Sequence, residues 1–107
     1  MISSRIIQTA NKAEKYPHIK RIGVFGSYAR DDAHTDSDLD ILVDYDECTD
    51  EFIDELGMFM EDMELAFSCK IDWVTLPALM KGQENEFRQN VLRDVQWIYD
   101  NRSVPHV

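Results

Sequence analysis

RIGVFGSYARDDAHTDSDLDILVDY, residues 21–45, sets two short apolar runs on either side of a polar loop. The first, RIGVFG at 21–26, is β-branched and aromatic and closes on a glycine, so it reads as a strand running into a tight turn. The second, LDILVDY at 39–45, keeps its aspartates near its two ends and reads as another strand. Two strands joined through such a turn require a sheet, and the flanking sequence must supply the layer that covers it.

On the N-terminal side, Ile2, Ile6, Ala10 and Ala13 recur at helical spacing, which predicts a helix over residues 2–16, ended by Pro17. On the C-terminal side, Thr49 offers an N-cap, and Asp50 and Glu51 suit a first helical turn. Phe52, Leu56, Phe59, Met63 and Phe67 then form the stripe of a long amphipathic helix. KIDWVTL at 70–76 is a third strand, Pro77 and Gly82 bracket a short irregular segment, and Phe87, Val91, Val95 and Ile98 predict a final helix. The expected fold is α+β in two layers, a small mixed sheet flanked by helices, in a single domain spanning residues 1–107.

Eleven Lys and Arg against 21 Asp and Glu give a net charge of −10, and the 15 acids between Arg30 and Lys70 have no basic residue among them. Such a surface repels a phosphate backbone, so autonomous nucleic-acid binding is not expected unless metal ions screen the carboxylates. The plainer reading of Glu51, Asp54, Glu55 and Glu61 is a solvated helix face. Cys48 and Cys69 lack the number and spacing of a zinc site or a disulfide framework and read as reduced thiols. MISSRIIQTA has no apolar signal core and no stretch approaches membrane-span length, so a cytoplasmic chain without a membrane partner is expected.

The chemistry gathers in the loop. On a strand, Asp38 and Asp40 at i and i+2 face the same way, and two like charges held together call for a cation between them. A hard, oxygen-only pair suits Mg²⁺, which takes a few carboxylates together with phosphate oxygens and water. Gly26, without a Cβ, admits a phosphate close to the backbone; the Ser27 hydroxyl and nearby amides can donate to it, and Arg30 lies one turn on. Together these describe a site for a metal-bound nucleoside triphosphate. Asp72, a lone acid in an apolar strand, either completes an acidic trio or sits at a wet strand edge; residue type alone favours neither.

Gly26, Ser27, Asp38 and Asp40, with Asp72 downstream, resemble the signature of the minimal nucleotidyltransferases of the DNA polymerase β-like superfamily. The resemblance implies the polymerase β-like nucleotidyltransferase fold, with Asp38, Asp40 and Asp72 as ligands of two Mg²⁺ ions. It further implies that Asp72 helps activate the acceptor hydroxyl and that Gly26 and Ser27 hold the triphosphate. The reaction implied is transfer of a nucleoside monophosphate, AMP from ATP, to a hydroxyl. Some family members are antitoxins that adenylylate a tyrosine of a HEPN-type partner toxin, and that partner is the expectation carried forward. Asp31 departs from the glycine that often follows the arginine in this family, which puts the contribution of Arg30 in question.

The rival readings are an antitoxin acting by binding alone, nucleotidyl transfer to a small molecule such as an aminoglycoside, and a nucleotide-sugar glycosyltransferase, whose sheet domain is ordinarily larger. Leu92, Trp97 and Tyr99 lie off the stripe of the final helix and read either as partner anchors or as side chains half-buried against the first helix. His34, His18 and His106 read as surface histidines, and Met58, Met60 and Met63 as ordinary packing. Asp36 and Asp44 are candidates for tuning the metal site without ligating it.

Overall fold

The structure, a computed structural model, describes residues 2–103; His106 lies outside the described residues. Strands β1 (Ile19–Phe25), β2 (Leu39–Tyr45), β3 (Ile71–Thr75) and β4 (Gln96–Asp100) form one mixed sheet in the order β3-β2-β1-β4. β1 runs antiparallel to both β2 and β4, whereas β2 and β3 are parallel. A parallel pair cannot be closed by a hairpin, and the required crossover is the helix Asp50–Ala66. The other helices are α1 (Ser4–Ala10), continued by a 3-10 turn at Asn11–Lys15, α2 (Gly26–Ala29), α4 (Leu76–Met80) and α5 (Glu86–Asp94); the crossover helix is α3.

The sheet carries two apolar faces of unequal size. Ile22, Val24, Ile41 and Val43 pack with Ile6, Ala10 and Ala13 from the N-terminal helical segment and with Phe52, Phe59 and Met63 from α3. Burying each large side chain of this kind stabilises the fold by roughly 1.5–3 kcal/mol. Thr49 caps α3 by accepting from the Phe52 amide at 3.1 Å, as its sequence suggested. On the opposite face Phe25, Leu42, Leu79 and Val91 make a smaller cluster beneath α4 and α5. This mixed sheet flanked by helices is the α+β architecture read from the element order.

The C-terminal quarter differs from the sequence expectation. The final helix stops at Asp94, and Gln96–Asp100 is a strand paired with β1. A register irregularity sets Ile22 opposite Tyr99 and Gly23 opposite Trp97, so that Tyr99 enters the larger core and Trp97 the smaller cluster. Gly23 makes room for this: a Cβ there would lie 2.6 Å from Val95 Cγ2 and 3.0 Å from Trp97 Cε3. Tyr99 is therefore buried and Trp97 half-buried with Arg21 stacked 4.0 Å from its ring, which leaves only Leu92 of the three as an exposed apolar side chain. Phe87, expected in the core, is 53% exposed. The segment after Pro77 is not irregular but forms α4, with the proline in the first turn where its missing N–H costs nothing.

Candidate active site

Three strand ends meet at one edge of the smaller face. The last residue of β1, Phe25, pairs with Asp40, and the parallel register of β2 and β3 places Asp40 beside Asp72. Adjacent strands lie about 4.8 Å apart, so the two carboxylates project side by side. Asp38 comes from the residue immediately before β2, two positions from Asp40.

Gly26 follows Phe25 with φ +70, in the left-handed region, and a Cβ there would stand 2.1 Å from Asp40 Oδ2. Glycine is thus required twice, by the turn and by the carboxylate pressed against it. The turn continues as α2, tied by the Arg30 amide to the Gly26 carbonyl at 3.0 Å and the Asp32 amide to the Ser27 carbonyl at 3.0 Å. Asp31 sits just after it with φ 65. The left-handed conformation of this position accounts for the glycine preference noted above, and aspartate is one of the few other residues that tolerates it.

The acids act on one another at Asp40. Burial pushes the Asp40 carboxyl above its ordinary pKa, the charges of Asp72 and Asp38 push it further, and Arg30 opposes them. Among the described residues neither Asp38 nor Asp40 has an ion pair or a hydrogen-bonded side-chain partner, while Asp72 Oδ1 lies 3.6 Å from Lys70 Nζ. An all-carboxylate set with two members lacking an ion-pair partner fits a hard dication in its donor chemistry. Among the described residues no three acidic, histidine or cysteine side chains are already arranged to hold one ion, so the trio is an acidic cluster and not a preformed cage.

Beside the cluster opens a cleft of about 420 Å³. One wall is Phe25, Gly26, Ser27, Arg30, Ser37, Asp38 and Asp40; the other is the inner side of α5, with Phe87, Asn90, Val91 and Asp94. Gly26, Ser27, Arg30, Asp38 and Asp40 are therefore together in one cavity wall, with Asp72 next to Asp40 in register. Arg30 does not point freely into it: its Nη1 donates to Asp94 Oδ2 at 3.1 Å and its Nε to Asp32 Oδ2 at 3.4 Å. Hydrogen bonds from Arg93 and then Arg30 hold the Asp94 carboxyl below its ordinary pKa.

Asp44 has a different task. It is buried at the far end of β2 and accepts from Arg21 Nε at 2.9 Å. Asp36 is exposed in the loop, and His34 is likewise exposed, its amide donating to Ser37 Oγ at 2.9 Å. His18 donates its amide to Glu55 at 3.0 Å, away from the cleft. Sequence reasoning missed Phe87, Asn90 and Asp94 as cleft residues. The polar spacing of Asn90 and Asp94 on one helical side was the available signal.

Comparison with known proteins bears on this arrangement. A family described as polymerase beta, nucleotidyltransferase matches residues 7–103. The chain is 37% identical over 97 residues to the protein adenylyltransferase MntA of Thermococcus cleftensis, covering 86% of this chain and 89% of that relative. It resembles a solved structure assigned as a minimal nucleotidyltransferase with TM-score 0.65 and 26% identity, over 87% of this chain and 88% of that one. It also resembles a chain in the complex of a tri-AMPylated Shewanella oneidensis HEPN toxin with an MNT antitoxin, with TM-score 0.54 and 20% identity over 91% and 74% of the two chains. At that identity the last likeness concerns the fold alone.

Proposed function

The chain belongs to the polymerase beta nucleotidyltransferase family, and from that premise we propose that it transfers AMP from ATP to a hydroxyl of a partner protein, the phenol of a tyrosine on a HEPN-type toxin. It thereby acts as an antitoxin in the cytoplasm, working as a single domain and without nucleic-acid binding of its own. The observation that carries the reading is the seating of Asp40 against Gly26, in register with Asp72. It merges the turn that admits phosphate with the carboxylates that hold cations. The 37% identity to a protein adenylyltransferase supports a protein acceptor over an aminoglycoside.

In this reading Ser27 and the amides of the Gly26 turn hold the triphosphate, and Arg30 exchanges Asp94 for a phosphate oxygen. The acceptor oxygen attacks the α-phosphorus. A new P–O bond forms as the bond from that phosphorus to the α–β bridging oxygen breaks, and pyrophosphate departs with the bridging oxygen. The hydroxyl proton passes to Asp72, whose side chain is 44% exposed beside Asp40. Two Mg²⁺ ions held by Asp38, Asp40 and Asp72 would neutralise the phosphates and lower the pKa of the attacking hydroxyl.

The test is incubation with ATP labelled at the α-phosphate, Mg²⁺ and the product of the adjacent gene, using wild type and the Asp38→Asn, Asp40→Asn double variant. Label on the partner with wild type alone is the expected result. Tight partner binding by both forms with label on neither would overturn the enzymatic reading in favour of an antitoxin that acts by binding.

A further inference from the structure

We propose that the α5 wall of the cleft is the seat of the nucleobase, with Phe87 stacking on an adenine ring and Asn90 reading its edge; this rests on the nucleotidyltransferase reading of the same cleft. The two walls differ in chemistry. The Gly26 wall carries the hydroxyl, the turn and the carboxylates, all suited to phosphate and cations. The α5 wall carries an aromatic ring, an amide and a valine, followed by an aspartate already committed to Arg30 and Arg93.

Phe87, Asn90, Val91 and Asp94 follow one another at spacings of three, one and three, so they share one side of the helix. Seven residues separate Phe87 from Asp94, about 10 Å along the axis at 1.5 Å per residue. That length leaves room for a base beyond the polar end where Arg30 lies. Phe87 is anchored by an edge contact to buried Phe25, with ring centroids 6.3 Å apart and planes at 80°, yet it keeps 53% of its surface exposed. A ring fixed on one side and open on the other is what stacking on a planar base requires.

Stacking alone accepts any base, and Asn90 supplies the choice. Among the described residues its amide has no hydrogen-bond partner, so both its N–H and its carbonyl are available. An amide pairs as donor and acceptor with the N7 acceptor and N6 amino group of adenine. The corresponding edge of guanine offers two acceptors, of which one amide satisfies only one.

Titration calorimetry of the full chain with Mg-ATP, Mg-GTP and Mg-tripolyphosphate tests this. Phe87→Ala is expected to weaken ATP about tenfold while leaving tripolyphosphate unchanged. Phe87→Trp is expected to retain ATP binding, and Asn90→Ala to narrow the preference for ATP over GTP. Unchanged ATP affinity in Phe87→Ala, or equal weakening of ATP and tripolyphosphate, would overturn the base seat. Wild-type protein that binds tripolyphosphate as well as ATP also overturns it, while leaving the triphosphate reading in place. Binding of none of the three by wild type overturns both.

Discussion

Replacing Gly26 by alanine separates two demands that glycine meets at once. The left-handed backbone at φ +70 costs an L-residue roughly 1–2 kcal/mol. The new Cβ also falls 2.1 Å from Asp40 Oδ2, where ordinary contact begins near 3.4 Å, so the carboxylate must withdraw by 3.4 − 2.1, or 1.3 Å. A displacement of about 1 Å in a reacting group can cost on the order of 100-fold in rate. Gly82 provides the control, because it has φ +80 and nothing within 4 Å of its ideal Cβ. Both variants should lose about 1–2 kcal/mol of stability, a fall in Tm of roughly 4–16 °C. Only Gly26→Ala should lose transfer activity, by about 100-fold per folded molecule. Thermal denaturation followed by circular dichroism, paired with a labelled-nucleotide transfer assay, distinguishes the two effects. Transfer by Gly26→Ala within about threefold of wild type, against the hundredfold loss argued from displacement, would refute the packing argument. An equal loss in Gly82→Ala would refute it as well, by tracing the defect to backbone strain.

Asp40→Asn should raise the Tm of the metal-free chain at pH 7. The Asp40 pKa is raised in the fold, so the stability associated with its neutral form is full below the unfolded pKa and is lost as pH rises through the folded one; the gain over wild type should vanish in acid. Asp44→Ala should cost about 3 kcal/mol in urea denaturation, at the lower end for a broken buried pair because the Arg21 side chain is 24% exposed, with transfer per folded molecule unchanged. Tyr99→Ala should cost about 3 kcal/mol as a core truncation; a variant of wild-type stability that only loses partner binding would restore Tyr99 as an interface anchor.

The elements legible in the sequence were those whose periodicity had one source. Ile2, Ile6, Ala10 and Ala13 face one core, and so do Phe52, Phe59 and Met63, so helical spacing reported burial directly. β4 escaped because its pattern is interrupted. The irregularity opposite Ile22 and Gly23 sends Trp97 and Tyr99 to different faces, which erases the alternation of a strand. Val91, Val95 and Ile98 then mimic a helix by coincidence of spacing, although VQWIY is β-branched and aromatic in composition. At the cleft, the spacing of Asp38 and Asp40 and the glycine turn could be read from local rules. The α5 wall left only the helical spacing of Asn90 and Asp94 as a signal, because Phe87 looks like a core residue on a helix carried through to Ile98.

The division of the sheet into a large and a small core explains how an acidic site is tolerated. Asp40 and Asp72 alternate along their strands with Ile41, Ile71 and Trp73, which face the larger core, so their charges project from the smaller face. Packing lost on that side is confined to Phe25, Leu42, Leu79, Val91 and their half-buried neighbours. Among the described residues the cation ion-paired with the trio is Lys70, whose side chain is 72% exposed, and an ion pair so exposed is worth about 0–1 kcal/mol. A dication held by Asp38 and Asp40, neither of which has an ion-pair partner among the described residues, would interact far more strongly than that in the partly desolvated setting that raises Asp40. So weak a pair with Lys70 would not withhold Asp72 from a cation, and the fold keeps Asp40 and Asp72 adjacent through strand register instead of through a bond between them.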